Sequence, residues 1–264
     1  MDYKKLMDMT GKVCIVVGGT GYLCSENAKI LKDFGATVVV ADIHEREDRW
    51  EKKAEDLGYD KYVYCNVTDI DSLANCFKEV YETYGRIDVL VNGALYGAAH
   101  GEKSWLEKMD DETFCNCLVG TAAPVFRGIH EVVPYMKKNG GGSIINYCSM
   151  YDLVTPDLRV YGDSHQRQPI TYGAGKAAVD QMTRYAACDL AKYNIRVNSV
   201  TPGPFPNPRN QNDVNLIPKL ADKTILGRIG QSFEMAGAVL LLASDASSFM
   251  TGTNIVVDGG WIAW

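Results

Sequence analysis

Short runs of β-branched and other apolar residues recur along the chain at 13–17, 37–41, 62–65, 89–91, 143–146, 196–200 and 254–257, and each predicts a strand. Several are apolar at every position, as strands covered by helices on both faces must be. Between them the apolar period changes to three and four. Residues 25–34 align Ala28, Leu31 and Phe34 on one helical face and stop at Gly35; residues 69–84 align Leu73, Phe77, Val80 and Tyr84 and stop at Gly85. Strand-helix-strand crossovers are right-handed, so the repetition predicts an α/β fold with a doubly wound parallel sheet and helices on both faces. Ligands then bind beyond the carboxyl ends of the strands. No linker or low-complexity stretch interrupts the rhythm, which predicts a single domain over residues 1–264. One segment breaks the pattern. Pro202, Pro204, Pro206, Pro208 and Pro218, interleaved with Asn and Gly, predict a loop that acts as a substrate lid at about 204–225.

Composition narrows the function. The net charge of -6, with Lys and Arg scattered, leaves no basic field for a phosphate backbone, so no nucleic-acid partner is expected. No apolar run approaches the length of about 20 residues that spans a bilayer. The polar first residues, with Lys4, Lys5 and Asp8, lack the pattern of a signal peptide, and a cytoplasmic protein is expected. The eight cysteines show no C-x-x-C pair, so they are expected to be small reduced residues without a metal.

The first predicted strand runs into Gly18-Gly19-Thr20-Gly21-Tyr22-Leu23-Cys24 and then a helix. Glycines let a backbone approach a pyrophosphate, whose charge a helix N-terminus favours. Asp42 closes the second strand about twenty residues further on, where a carboxylate accepts hydrogen bonds from the adenosine ribose. A 2′-phosphate there meets like-charge repulsion, so NAD is expected and NADP disfavoured; Arg46 is the nearest basic residue. A strand-end Asp that caps a turn is the plainer reading. Tyr172 and Lys176, four apart in a helical stretch, share one face. An ammonium beside a phenol in a low-dielectric crevice stabilises the phenolate, although exposed Tyr-x-x-x-Lys pairs are usually inert.

With these motifs the chain resembles the short-chain dehydrogenase/reductase family, of Rossmann type, over nearly its whole length. Gly18 to Cys24 is similar to the family's glycine turn, and Asn66-Val67-Thr68-Asp69 to its adenine-side segment. Val91-Asn92-Gly93-Ala94 resembles the Asn-Asn-Ala-Gly motif, and the run from Ser143 to Ser149 the strand that delivers a catalytic serine. Pro202-Gly203, followed by Phe205, resembles the turn beside the nicotinamide, and Val257-Asp258-Gly259-Gly260 the C-terminal signature. The resemblance implies hydride transfer between nicotinamide and a carbinol or carbonyl carbon. Tyr172 is then the acid-base group, Lys176 its cationic neighbour and ribose holder, and Ser149 the donor that positions the substrate oxygen. Gly18, Thr20, Gly21, Tyr22, Leu23, Asp42, Asn66, Val67, Asn92, Ala94, Pro202, Gly203 and Phe205 then line the cofactor with the Tyr-Lys pair. Family members are commonly tetramers, so a homotetramer or homodimer is expected, with the apolar tail from Trp261 to Trp264 at a contact.

Four departures qualify the match. Tyr22 and Cys24 stand where most members have glycines, in a Gly-Gly-x-Gly-x-Leu form similar to that of sugar-acid and polyol oxidoreductases. Gly93 and Leu95 replace an Asn and a Gly. Thr121 falls where a catalytic Asn is expected; it either holds the relay water in that Asn's place or is an ordinary helical residue, with Asn116 the out-of-register alternative. The stretch from Ser149 to Tyr172 is long, and Tyr151, Asp152, Asp157, Arg159, Tyr161, Asp163 and His165 give it a polar character suited to a hydroxylated or anionic substrate. Arg209 and Asn210 in the lid are candidates to meet a carboxylate. The expected substrate is thus a secondary alcohol or ketone among polyols, sugars or sugar acids. A catalytically impaired NAD-sensing or scaffold protein is the alternative that Thr121 opens. A hydroxysteroid dehydrogenase is the third, distinguished by an apolar slot under residues 205–226.

Overall fold

In a computed structural model, which describes residues 3–44, 58–162 and 167–264, all seven predicted strands form. They are β1 (Val13–Val17), β2 (Thr37–Asp42), β3 (Lys61–Tyr64), β4 (Val89–Asn92), β5 (Gly142–Tyr147), β6 (Ile195–Pro202) and β7 (Asn254–Val257). All pairings are parallel, in the order β3-β2-β1-β4-β5-β6-β7. The order reverses between β1 and β4, the switch point at which open α/β sheets bind ligands.

The two-residue period of β1 sorts its side chains between two cores. Val13, Ile15 and Val17 enter one, which α2 (Ile70–Tyr84), α3 (Asp111–Lys138) and α5 (Ile170–Leu190) close with Phe77, Val132 and Ala187. Cys14 and Val16 enter the other, closed by Leu31 of α1 (Cys24–Asp33) and Val239 of α7 (Ala236–Ala243). Both faces are therefore covered, which is why the strands are apolar without alternation. A side chain buried as fully as Phe77 contributes roughly 1.5–3 kcal/mol over its exposed state. The helix ends follow their stop signals. Asp69 caps α2 by accepting from the Asp71 N–H, and Gly85, at φ 75°, ends it by donating to the Tyr81 carbonyl.

Two expectations need correction. The 204–225 segment is not all loop, because it holds a 3-10 turn (Pro208–Asn210) and the short helix α6 (Ile217–Asp222). Leu216, Ile217 and Leu220 there share an inward face, a helical period that the prolines obscure. The tail is also not a wholly exposed apolar surface. The Asp258 carboxylate accepts from the N–H groups of Gly260 and Ile262, and with Gly259 and Gly260 at positive φ the chain doubles back and buries Trp261 at 5 % exposure. Trp264 remains exposed, its indole donating to the Lys223 carbonyl. All eight cysteines are free thiols, and only Cys115 and Cys188 are exposed. No helix among the described residues is long and apolar enough to cross a membrane.

Candidate active site

The glycine turn joins β1 to α1 at the switch point. Gly18, at φ 76°, brings its backbone so close to the end of β4 that a Cβ would lie 2.9 Å from the Ala94 nitrogen. A Cβ on Gly19 would lie 2.7 Å from the Val16 carbonyl oxygen. Only glycine makes this turn. Asp42, at the end of β2, is drawn to it: Oδ2 accepts from Thr20 Oγ1 at 2.7 Å and from the Thr20 N–H at 3.2 Å, while Oδ1 accepts from the Ile43 N–H. No cation among the described residues pairs with Asp42, and Arg46 lies outside them. Bare backbone at a helix N-terminus, with an unpaired carboxylate beside it, fits a dinucleotide whose ribose keeps its free hydroxyls. Leu23 packs into the α1 core, and the Tyr22 hydroxyl accepts from Gln211 Nε2 at 2.8 Å, tying the turn to the 204–225 segment.

Two departures from the family pattern prove to be one feature. The Cys24 sulfur, 4 % exposed, fills the space that a Cβ on Gly93 would occupy, so the larger residue in the turn and the smaller one after β4 compensate. Nearby, Asn92 Nδ2 donates to Asn146 Oδ1 at 2.9 Å, and Asn146 donates to Thr183 Oγ1, a buried chain linking β4, β5 and α5. On the adenine side, the Asn66 N–H donates to Ser72 Oγ, and Arg127 of α3 donates to the Val67 carbonyl at 2.7 Å, which holds that turn in place. On the other side, Gly203 donates to the Val257 carbonyl and lies so close to Asp258 that no side chain fits. Pro202 pairs with Val257 in the sheet, and the Phe205 ring rests on Gly230.

Lys176 is buried, at 4 % exposure. Its Nζ donates to the Tyr147 carbonyl at 2.6 Å and lies 5.8 Å from the centre of the Tyr172 ring, so the four-residue spacing does bring the two side chains together. Ser149 follows β5 directly and caps the one-turn helix α4 (Met150–Leu153), its Oγ accepting from the Tyr151 N–H. That bond uses a lone pair and leaves the hydroxyl proton to donate. Thr121 packs against Gly175, one residue from Lys176, and its hydroxyl donates to the Cys117 carbonyl within its own helix. Asn116 lies on α3 near Gly97, which approaches its carbonyl. Behind the pair, ligand atoms of Cys148, Asp152 and Asp180 lie within 4.8 Å of one another. Asp180 is committed to Arg184. No nitrogen or hydroxyl donor among the described residues reaches the two buried Asp152 oxygens. Burial above all, helped by the Asp180 charge and opposed by the Cys148 thiol and by Lys176, pushes the Asp152 carboxyl up to about 6.

Tyr172 packs against an apolar cluster. Met150, Tyr151, Val160, Leu220 and Trp261 are its buried members, with Tyr161, Leu216 and Ile217 packed against them. This corrects the polar reading of the long stretch after Ser149. Tyr151 and Tyr161 turn inward and bond hydroxyl to hydroxyl at 3.1 Å. Asp157 and Arg159 pair at the surface, with Lys223 of the lid-side segment also on Asp157. Asp163 and His165 lie outside the described residues, and Arg209 and Asn210 are exposed. The Tyr147 carbonyl and Trp261 were not foreseen, the first because backbone carries no side-chain signal, the second because a C-terminal Trp resembles a surface contact.

A family model described as enoyl-(acyl carrier protein) reductase matches residues 23–262. The chain is 37% identical to 3-oxoacyl-[acyl-carrier-protein] reductase FabG of Thermotoga maritima, over 97% of this chain and 100% of that one. It is 35% identical to trans-4-hydroxycyclohexanecarboxylate dehydrogenase of Sinomonas cyclohexanicum, over 94% and 92%. The crystal structure of a short-chain type dehydrogenase/reductase from Mycobacterium marinum superposes with a TM-score of 0.84 at 30% identity, covering 99% of each chain. With the glycine turn, the Tyr-Lys pair and the seven-stranded sheet already in place, the chain belongs to the short-chain dehydrogenase/reductase family and is an oxidoreductase that acts on CH–OH groups.

Proposed function

We propose that this enzyme uses NAD and acts on a secondary alcohol, or the matching ketone, borne on a compact carbon ring. The observation that carries the reading is the apolar cluster against which Tyr172 packs, whose lid-side face is Leu216, Ile217 and Leu220. A ring held at Tyr172 covers apolar surface of this cluster, whereas an open polyol or sugar acid, the class expected from the sequence, would set hydroxyls against it without partners. One relative of this chain is named for a ring alcohol, which supports the same choice. The apolar lining also keeps a hydroxysteroid as the second reading.

The nicotinamide, when bound, supplies the hydride acceptor or donor. Tyr172 holds the proton that the substrate oxygen gains in reduction and takes it back in oxidation. Lys176, fixed by the Tyr147 carbonyl, keeps a positive charge beside the Tyr172 ring. Ser149 donates to the substrate oxygen and sets its distance from the phenol. Asp42 accepts from the ribose hydroxyls and selects against a 2′-phosphate. The 204–225 segment, whose Leu216, Ile217 and Leu220 join that cluster, serves as the lid. The assembly is a homodimer or homotetramer; Val119 and Phe126 of α3 and Tyr185 of α5, all exposed, favour contact along these two helices.

NADH formation from a panel of cyclopentanols and cyclohexanols, open polyols, sugar acids and hydroxysteroids tests the reading. Ring alcohols should give the highest kcat/KM. Tyr172→Phe should lower their turnover by about 10²–10⁴-fold while NAD affinity is unchanged. Tight NAD binding with no turnover of any of these would favour a dinucleotide sensor.

A further inference from the structure

The eight described arginines separate sharply. Arg86, Arg159, Arg184 and Arg228 each donate to a carboxylate, and Arg127 and Arg196 donate to backbone carbonyls. Arg209 is exposed to solvent. Arg167 alone among them is half-buried without an acceptor: no hydrogen bond or ion pair engages its guanidinium among the described residues, and its Nε is buried and unpartnered. A guanidinium removed from water normally finds a carboxylate or carbonyl, because leaving its donors unmade costs their desolvation.

The group is also braced. Its guanidinium carbon stands 4.6 Å from the centre of the Trp105 ring, a cation–π contact that helps to hold the group in place. The two residues come from different walls. Trp105 lies in the connection from β4 to α3, Arg167 in the connection from β5 to α5, and β4 and β5 are neighbours in the sheet. Ser149 begins that second connection and Tyr172 stands in the first turn of α5, where the connection ends; the Tyr172 N–H donates to the carbonyl of Pro169, two residues after Arg167. Trp105 and Arg167 therefore lie in connections that leave the carboxyl ends of adjacent strands, the end of the sheet that also carries the proposed catalytic groups.

We propose that Arg167, held against Trp105, is the specificity residue that binds an anionic group on the substrate, a carboxylate carried by the ring whose carbinol reaches Tyr172. This rests on the ring-alcohol reading above and narrows it. A planar carboxylate matches the two-pronged donor edge of a guanidinium, which an ammonium does not reproduce. The ring lies against the apolar cluster at Tyr172, and the anion meets Arg167.

The test compares trans-4-hydroxycyclohexanecarboxylate with its carboxamide, which has the same shape and no charge. The wild-type enzyme should prefer the carboxylate by about 10- to 100-fold in kcat/KM, through KM. Arg167→Gln should abolish that preference and leave kcat/KM for the carboxamide within about twofold. Arg167→Lys should restore only part of it, and Trp105→Leu should give a smaller loss that again falls on the carboxylate alone. Equal activity of the wild type on both compounds overturns the proposal, and so does an equal loss on both in Arg167→Gln, which marks a structural role. Should neither compound be turned over, the ring-alcohol reading fails by itself, and calorimetric binding of cyclohexanecarboxylate decides the residue's role separately. Affinity reduced about tenfold or more in Arg167→Gln supports the receptor, and unchanged affinity removes it.

Discussion

On the β1–β2–β4 side of the crevice, the residues that face the proposed dinucleotide sit on strand ends and the turns that follow them: Gly18 to Leu23 after β1, Asp42 closing β2, Asn92 and Ala94 at the end of β4. On the other side, the apolar cluster draws Met150 and Tyr151 from one connection, Leu216, Ile217 and Leu220 from another, and Trp261 from the tail. The first wall is set by the short-range geometry of strand ends, where a glycine or a carboxylate has one reason to be present. The second is assembled from distant pieces whose side chains acquire meaning only when packed. Cofactor chemistry is thereby held constant while the substrate wall is free to vary, a division suited to a fold that serves many substrates.

The comparison can be broken first at Asp42. If the cofactor wall is local, one substitution there should retune it without touching the apolar cluster. Asp42→Ala removes two charge-assisted acceptors and the repulsion toward a 2′-phosphate, and should move the ratio of kcat/KM for NAD over NADP by about 10- to 100-fold toward NADP. The KM of the alcohol should stay put. An unchanged cofactor ratio would remove Asp42 from the ribose site.

A smaller effect tests how tightly that wall is filled. Gly93→Ala drives a Cβ into the Cys24 sulfur and should cost about 1–3 kcal/mol in denaturant unfolding. Cys24→Ala alone should also destabilise, by emptying the same space, yet the double variant should be more stable than the sum of the two losses predicts. Additive losses would mean that the two departures are unrelated.

The same division explains what was legible in the sequence. The central strands β1, β2 and β4 were visible because parallel strands covered on both faces are apolar along nearly their whole length, and the ends of all seven moved by only a residue or two; the β6 ladder, for example, runs on to Pro202, the end at which a missing N–H matters least. Tyr172 and Lys176 were legible through a four-residue spacing on one helix. Cys24 and Gly93 read as two separate departures because their contact joins a turn to a strand end far away in sequence. Trp261 was misread for a physical reason: Asp258 and two left-handed glycines, not hydrophobicity, decide which way the tail turns. Tyr151 and Tyr161 were taken for polar loop residues because a phenol carries both a ring to bury and a hydroxyl to satisfy, and the pair satisfies itself.

The smallest effect expected sits at Asp152, in the one-turn helix that follows Ser149. Its carboxyl is raised from 3.8 to about 6, chiefly by burial, so between those values the folded protein holds a proton that the unfolded chain has released. Stability then falls as pH rises through this window, and the cost is complete above about 6. Asp152→Asn keeps the shape, removes the charge and places an amide among acceptors on Asp180 and Cys148. The variant should therefore be more stable than the wild type by about 1–2 kcal/mol at pH 8, a figure reduced from the full shift for partial solvent screening. The advantage should shrink as pH falls through 6 and vanish below about 4, where the wild-type carboxyl is protonated in both states. Thermal melts of the two proteins at pH 4, 5, 6 and 8 give the comparison directly. A gap independent of pH would show that Asp152 is solvated, and that its surroundings are wetter than their packing implies.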